Sequence, residues 1–326
     1  MPNLMLTNWC NYKCSYCFGM DNMAPKIAKK NMSQETFGNI LSWLSKTPEI
    51  DTIHLMGGEP TLHPDFEGFV AELLAKDYHI TVFSNLATEY AVNYAKKLAD
   101  LPVVWVVNIN PPDTWKGAQG ERIKKALKPL GHRATITFNI MPDADDNTWA
   151  FELIKKYNLN KAIKIGFVLP TLTGSNYSLN DEQYKIVAGK VIQLAQEGEK
   201  KGIRFEFECG VPTCTFTDEQ LGILWDIGSM FSSTCFSRLD ITPDGECIYC
   251  LPLATMAARH FSTFGNYREA RNWFEAKLNP YRKLGRTENC HTCNLMNNPS
   301  ICHGGCVAKM LLNAKNVKYG NNNVCN

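Results

Sequence analysis

Cys10, Cys14 and Cys17 stand in the spacing C-x3-C-x2-C, directly after a short apolar stretch from Asn3 to Trp9. Three thiolates this close can hold a small inorganic cluster, yet a cubane of four irons takes four ligands. A three-ligand set leaves one iron open, as catalytic metal sites keep a position free for substrate. Read from spacing alone, the alternatives are a zinc site short of a ligand, or free thiols. A second candidate follows the next apolar run, where the chain reads Gly57-Gly58-Glu59-Pro60. Two glycines let backbone approach a ligand closely. Glu59 can accept a hydrogen bond from a cationic amine, and Pro60 stiffens the turn.

The whole chain sets limits on that chemistry. It has 326 residues, enough for one large α/β domain and a smaller one. Its 34 basic and 32 acidic side chains give a formal net charge of +2, which offers no electrostatic case for nucleic acid or an anionic membrane. No apolar run approaches the roughly 20 residues of a membrane span, and no signal peptide is seen, so a cytoplasmic location is expected. Of the 13 cysteines, three lie in the first 17 residues, none between Cys17 and Cys209, and ten from Cys209 to Cys325. Two separated groups of thiols point to metal chemistry at two places rather than to a disulfide framework.

The cysteine-free middle must position the first group. Apolar runs at Asn3–Trp9, Thr52–Met56, His79–Ser84, Val103–Ile109, Ala134–Ile140 and Ile163–Leu169 predict strands. Amphipathic stretches between them predict helices, the first capped by Ser33 and others near Phe66–Lys76, Glu89–Asp100, Gly120–Pro129 and Thr148–Tyr157. Six strand–helix units argue for a parallel sheet with right-handed crossovers, a partial (β/α)6 TIM-like barrel. A polar loop, Pro170–Asn180, leads to a long helix over Asp181–Lys201 and a further strand, Ile203–Glu208. From Cys209 onward the chain is expected to be loop-rich, with short helical pieces such as Asp218–Phe231 and Ala308–Asn313, and to depend on bound metal for order. Ligands of such barrels bind at the carboxyl ends of the strands, which is where the first triad lies.

With those motifs in place, the chain resembles the radical S-adenosylmethionine (SAM) superfamily over roughly its first 210 residues. The resemblance implies that Cys10, Cys14 and Cys17 bind a [4Fe-4S] cluster whose open iron chelates the amino and carboxylate groups of SAM. It implies that Gly57, Gly58, Glu59 and Pro60 bind the SAM amino group, that Tyr16 contacts the adenine, and that Ser84 and Asn85 face the ribose. In that family an electron from the reduced cluster breaks a carbon–sulfur bond of SAM. The resulting 5′-deoxyadenosyl radical removes a hydrogen atom from the substrate.

The second group of thiols resembles the SPASM domain, a C-terminal extension of many radical SAM enzymes. Cys235, Gly245 and Cys250 stand as C-x9-G-x4-C, followed by Cys290-x2-Cys293, Cys302-x3-Cys306 and a final Cys325. Eight residues rather than the usual five separate Cys293 from Cys302. A zinc ribbon built from Cys247, Cys250, Cys290 and Cys293 is the plainer alternative, and it leaves the region's other thiols unused. By resemblance the region holds two auxiliary [4Fe-4S] clusters, one on Cys235, Cys250 and Cys306, the other on Cys290, Cys293, Cys302 and Cys325. The first needs a further thiol, for which Cys214 is favoured over Cys209 and Cys247; an open iron is the remaining option. The expected domains are 1–210, the barrel, and 211–326, the auxiliary-cluster region.

The function this implies is hydrogen abstraction from a peptide or protein side chain, ending in cross-linking or oxidation. A small molecule such as a sugar or nucleoside is the rival substrate, and a non-SAM electron carrier or zinc protein the more distant one. An external flavodoxin- or ferredoxin-like electron donor is expected. With its first strand at Asn3, the chain is expected to have no leader-binding domain ahead of the barrel. No catalytic acid or base is assigned. His63 is read as a turn residue, His291 and His303 as loop histidines, Trp105 and Trp115 as packing residues; Glu206 and Glu208 are read equally as barrel-mouth or solvent-facing.

Overall fold

In the computed structural model, residues 1–320 are described apart from 145, 230, 231, 237, 283, 286, 287 and 297–300. Strands and helices alternate as β1 (Asn3–Thr7), α1 (Gln34–Leu44), β2 (Thr52–Gly57), α2 (Phe66–Ala75), β3 (His79–Ser84), α3 (Glu89–Lys97) and β4 (Val103–Asn108). The alternation continues with α4 (Ala118–Leu130), β5 (Ala134–Asn139), α5 (Trp149–Tyr157), β6 (Ala162–Gly166), α6 (Asp181–Glu199) and β7 (Arg204–Phe207). Each neighbouring pair from β1 to β7 is parallel. The six expected barrel strands are present in order, and β7 is the further strand expected over Ile203–Glu208.

The C-terminal region contributes α7 (Asp218–Asp226), β8 (Asp240–Ile241), β9 (Glu246–Ile248), β10 (Ala258–His260), α8 (Tyr267–Arg282) and α9 (Val307–Gly320). β8 pairs parallel to β1, and β9 and β10 follow antiparallel, so barrel and C-terminal strands form one sheet among the described residues. The sixteen-residue α8 corrects the expectation of only short helical pieces here. Its apolar face, Tyr267, Ala270, Phe274 and Leu278, has helical spacing and is buried. That spacing is present in the sequence, ahead of Pro280 in the last turn.

The two faces of the sheet differ in kind because side chains alternate along a strand. Leu4, Leu6, Ile53, Leu55, Ile80, Val82, Trp105, Val107, Ile136, Phe138, Ile163 and Ile165 are all buried against the helices. Trp105 is wholly enclosed there, with the Phe66 ring tilted against it at 6.3 Å between centroids. On the inner face, Met5 packs with Met23, Ile248 and Leu251 in a small apolar cluster at the β1 side. Towards β7 the inner face turns polar: Thr137 donates to Glu208 Oε1 at 2.8 Å, and Lys164 pairs with Glu206 at 3.4 Å. Glu206 and Glu208 thus face the barrel interior. Helix α1 starts where the sequence predicts, with the Ser33 hydroxyl accepting from the Thr36 N–H at 3.0 Å.

Candidate active site at the carboxyl ends of the strands

Past Thr7 the chain carrying the N-terminal thiols continues alongside the end of β2. The Gly58 N–H donates to the Thr7 carbonyl and the Glu59 N–H to that of Trp9, both at 2.8 Å. A Cβ on Gly57 would lie 2.2 Å from the Thr7 carbonyl oxygen, and one on Gly58 2.2 Å from that of Trp9. Gly57 has a φ of +148°, open to glycine and strained for other residues. The close backbone approach expected of the Gly-Gly pair is therefore made to the thiol loop itself. That contact fixes where Cys10 leaves the sheet.

Glu59 is buried, and its carboxylate is fully engaged. Oε1 accepts from Thr61 N–H, Thr61 Oγ1 and Ser84 Oγ, and Oε2 accepts from the Asn85 N–H at 2.8 Å. Burial pushes its carboxyl up, against the pull of the Asn85, Thr61 and Ser84 donors. Pro60 is the first residue of the short turn Pro60–Leu62 and is buried too. Ser84 is likewise spent within the fold, since its hydroxyl also accepts from the Leu86 N–H at 3.0 Å. The Asn85 amide reaches outward: Nδ2 donates to Asn11 Oδ1 at 2.9 Å and lies 3.9 Å from Cys10 Sγ. These residues tie the ends of β2 and β3 to the thiol loop.

Burial pushes the Cys10 thiol up to about 12, with Glu59, Cys14 and Cys17 adding to the rise against the Tyr12 N–H. Burial also raises Cys14 and Cys17. Three thiolates can coexist here only beside a strongly cationic centre, because metal binding must displace their protons. Soft, half-buried sulfur donors on a loop at the strand ends fit an iron–sulfur cluster. Tyr16 is held next to them by a hydrogen bond from its hydroxyl to Asn110 Oδ1 at 2.5 Å.

A brace missed by the sequence reading comes from the loop after β6. Thr173 and Ser175 donate to the two oxygens of Asp21 at 2.5 and 2.7 Å, Asn176 Nδ2 donates to the Tyr16 carbonyl, and Tyr177 N–H to that of Ser15. Asn110 was missed as well; polar residues just beyond a barrel strand's carboxyl end were the available signal. His63 does what the sequence suggests, bonding Met32 O through Nε2 and accepting the Asp65 N–H.

No disulfide joins the twelve described cysteines. Burial drives the Cys250 thiol up, with Cys235, Asp240 and Cys306 adding to the rise, and the Val307 N–H at the start of α9 bonds Cys235; among the described residues no three such side chains are placed to hold a single metal ion. Cys290 and Cys293 share one short turn, with the Cys293 N–H on the Cys290 carbonyl at 3.3 Å. Cys302 Sγ accepts from the Gly304 N–H at 3.3 Å. Cys247 is wholly buried on β9, Cys214 is the exposed middle residue of the otherwise buried turn Thr213–Thr215, and Cys325 lies outside the described residues.

Residues 4–114, which contain the first triad, the Gly57–Pro60 turn and Ser84–Asn85, match the Radical SAM superfamily. That segment is a radical SAM domain. As a radical SAM protein the chain uses SAM and [4Fe-4S] clusters. It is 25% identical over 270 residues to the GTP 3',8-cyclase of Haemophilus influenzae (strain PittEE), 76% of each chain. Its fold is that of anSMEcpe solved with bound AdoMet, with a TM-score of 0.67 at 17% identity over 94% of this chain and 88% of that one. It is also that of Streptococcus suis SuiB bound to precursor peptide SuiA, with a TM-score of 0.64 at 13% identity over 94% of this chain and 71% of that one. Both likenesses run through the thiol-rich C-terminal region, in keeping with the SPASM resemblance. No helix among the described residues is long and apolar enough to cross a membrane.

Proposed function

We propose that this radical SAM protein is a SPASM-type enzyme that removes hydrogen from a peptide or protein side chain, leading to cross-linking or oxidation. One observation carries the reading. Fold likeness to a protein solved with its precursor peptide covers 94% of the chain, including the region where the C-terminal thiols gather. In this reading residues 1–210 form the SAM barrel and 211–326 the auxiliary-cluster domain, with a flavodoxin- or ferredoxin-like donor supplying electrons in the cytoplasm.

The cluster and SAM, when bound, supply a 5′-deoxyadenosyl radical that takes a hydrogen atom from substrate. Cys10, Cys14 and Cys17 hold that cluster, and the Asn85 amide beside Cys10 Sγ can tune it by hydrogen bonding to sulfur. Tyr16 faces the adenine, with Asn110 fixing its ring. Gly57, Gly58, Glu59 and Pro60 bind the SAM amino group through the backbone they rigidify, because the Glu59 carboxylate is occupied internally. Ser84 acts at the ribose through the turn it braces, and Asn85 through its amide. The polar inner face near β5, β6 and β7 (Thr137, Lys164, Glu206 and Glu208) offers hydrogen bonds to an extended peptide backbone.

The match to GTP 3',8-cyclase over 270 residues favours a nucleotide as the second reading. Incubating the reconstituted, dithionite-reduced protein with SAM and either GTP or short Cys- or Ser-rich peptides encoded beside it separates the two. The peptide reading expects 5′-deoxyadenosine coupled to a peptide that loses two hydrogens in its mass. Coupled consumption of GTP with peptides left unchanged contradicts it.

A further inference from the structure

The final barrel strand delivers a thiol into the C-terminal region. Beyond β7, the Glu208 N–H still bonds the Ile165 carbonyl at 3.1 Å, so Cys209 leaves from the sheet's own edge. The next residue is Gly210, where a Cβ would meet the Thr234 carbonyl carbon and oxygen at 2.7 Å and the Cys235 nitrogen at 3.0 Å. The two cysteine-bearing segments therefore lie backbone to backbone, a contact only glycine permits. The Val211 N–H extends it by donating to the Ser232 carbonyl at 3.0 Å.

A third segment joins them. The Gly305 N–H donates to the Ser233 carbonyl at 3.0 Å, Thr234 and Gly305 form a parallel bridge, and a Cβ on Gly305 would strike Pro212 at 2.6 Å. This seats Cys306 beside Cys209 and Cys235. Tyr249 brings in the fourth segment, its hydroxyl donating to the Cys235 carbonyl at 3.0 Å from the position next to Cys250.

We infer that Cys209 is the fourth ligand of the first auxiliary cluster, together with Cys235, Cys250 and Cys306. This rests on the SPASM reading above, and it replaces Cys214, which the sequence favours, with the thiol that the backbone contacts bring to the group. Two consequences follow. The cluster has no open iron, so substrate does not ligate it. It also ties β7 to the C-terminal region, one residue from Glu208 on the barrel's inner face.

The test uses the full chain reconstituted anaerobically, read by iron content and electron paramagnetic resonance. C209A and C235A should each abolish or convert the same cluster signal, and C209A/C235A should lose no more iron than C235A. C214A should keep that signal. C209S, which preserves size and can still ligate iron, should keep the iron and shift the signal, covering the case in which C209A fails to fold. A wild-type signal in C209S or C209A, or additional iron loss in the double variant, overturns the assignment. Undiminished iron in C235A overturns the auxiliary-cluster reading beneath it.

Discussion

Arg282 Nη2 donates to the Cys235 carbonyl oxygen at 2.7 Å, and the same nitrogen bonds Tyr249 Oη at 2.6 Å. Its Nη1 is paired with Glu275 at 2.6 Å, and the side chain is mostly buried. If Cys235 holds the proposed auxiliary cluster, this guanidinium would stabilise its reduced, more negative state. Arg282→Ala should lower the midpoint potential of the first auxiliary cluster by roughly 50–100 mV, the size of one charge acting through partly screened protein. Arg282→Lys should recover only part of it, because one ammonium cannot make the forked contacts. Redox titration of the reconstituted protein reads the shift; an unchanged potential in Arg282→Ala contradicts the role.

Glu59 unites four donors from two strand ends, so its removal should be felt as stability before chemistry. Glu59→Ala leaves buried Thr61, Ser84 and Asn85 groups unpaired and should cost roughly 3 kcal/mol or more. Glu59→Gln, which keeps the shape but loses acceptor capacity, should cost less. Urea denaturation of the three proteins checks the order, and equal midpoints would show that the network is not structural.

Gly58→Ala sets a Cβ 2.2 Å from the Trp9 carbonyl oxygen, and backbone cannot yield as a side chain does. The thiol loop should be displaced, so the variant should lose about four irons, one cubane's worth, while keeping the C-terminal iron. Iron analysis decides. Full iron in the variant would mean that the crossing does not govern the position of Cys10.

Asp21 links the thiol loop to the loop after β6. Burial alone would raise its carboxyl, but Lys26, Thr173 and Ser175 bonds hold it down at about 2. A folded value below the usual carboxylate range means stability that is complete above about pH 4 and lost as pH falls through 2. Asp21→Asn should cost about 1 kcal/mol near neutral pH, after discounting for its partial exposure. As pH is lowered from 6 to 2, the gap between the urea midpoints of wild type and variant should hold down to about pH 4, narrow below it and close near pH 2. A gap that is constant across that range would remove Asp21's charge from the account.

The alternation of apolar runs and amphipathic stretches made β1 to β7 legible in sequence, because β-strand and helix periods differ along a parallel α/β chain. The first triad was legible for another reason: its ligands are local, all within eight consecutive residues. What required the fold was non-local. Cys209 and Cys235 are 26 positions apart, and only the backbone contact at Gly210 joins them. Asp21 meets Thr173 and Ser175 across 152 and 154 positions. Arg282 lies at the end of α8, 47 positions from Cys235, so its contact with that residue also required the fold. The inward Glu59 carboxylate shows the limit of reading a motif residue as a direct ligand, since its partners come from the next strand.

The central claim is that Cys10, Cys14 and Cys17 hold the cluster at which SAM is cleaved, apart from the C-terminal thiols. It is tested most directly by measuring 5′-deoxyadenosine from SAM with the anaerobically reconstituted, dithionite-reduced protein and its triple alanine variant. The wild type should hold about twelve irons, four for each of three cubanes, and form 5′-deoxyadenosine. The variant should retain about eight irons and form none. Continued SAM cleavage by the variant would contradict the account.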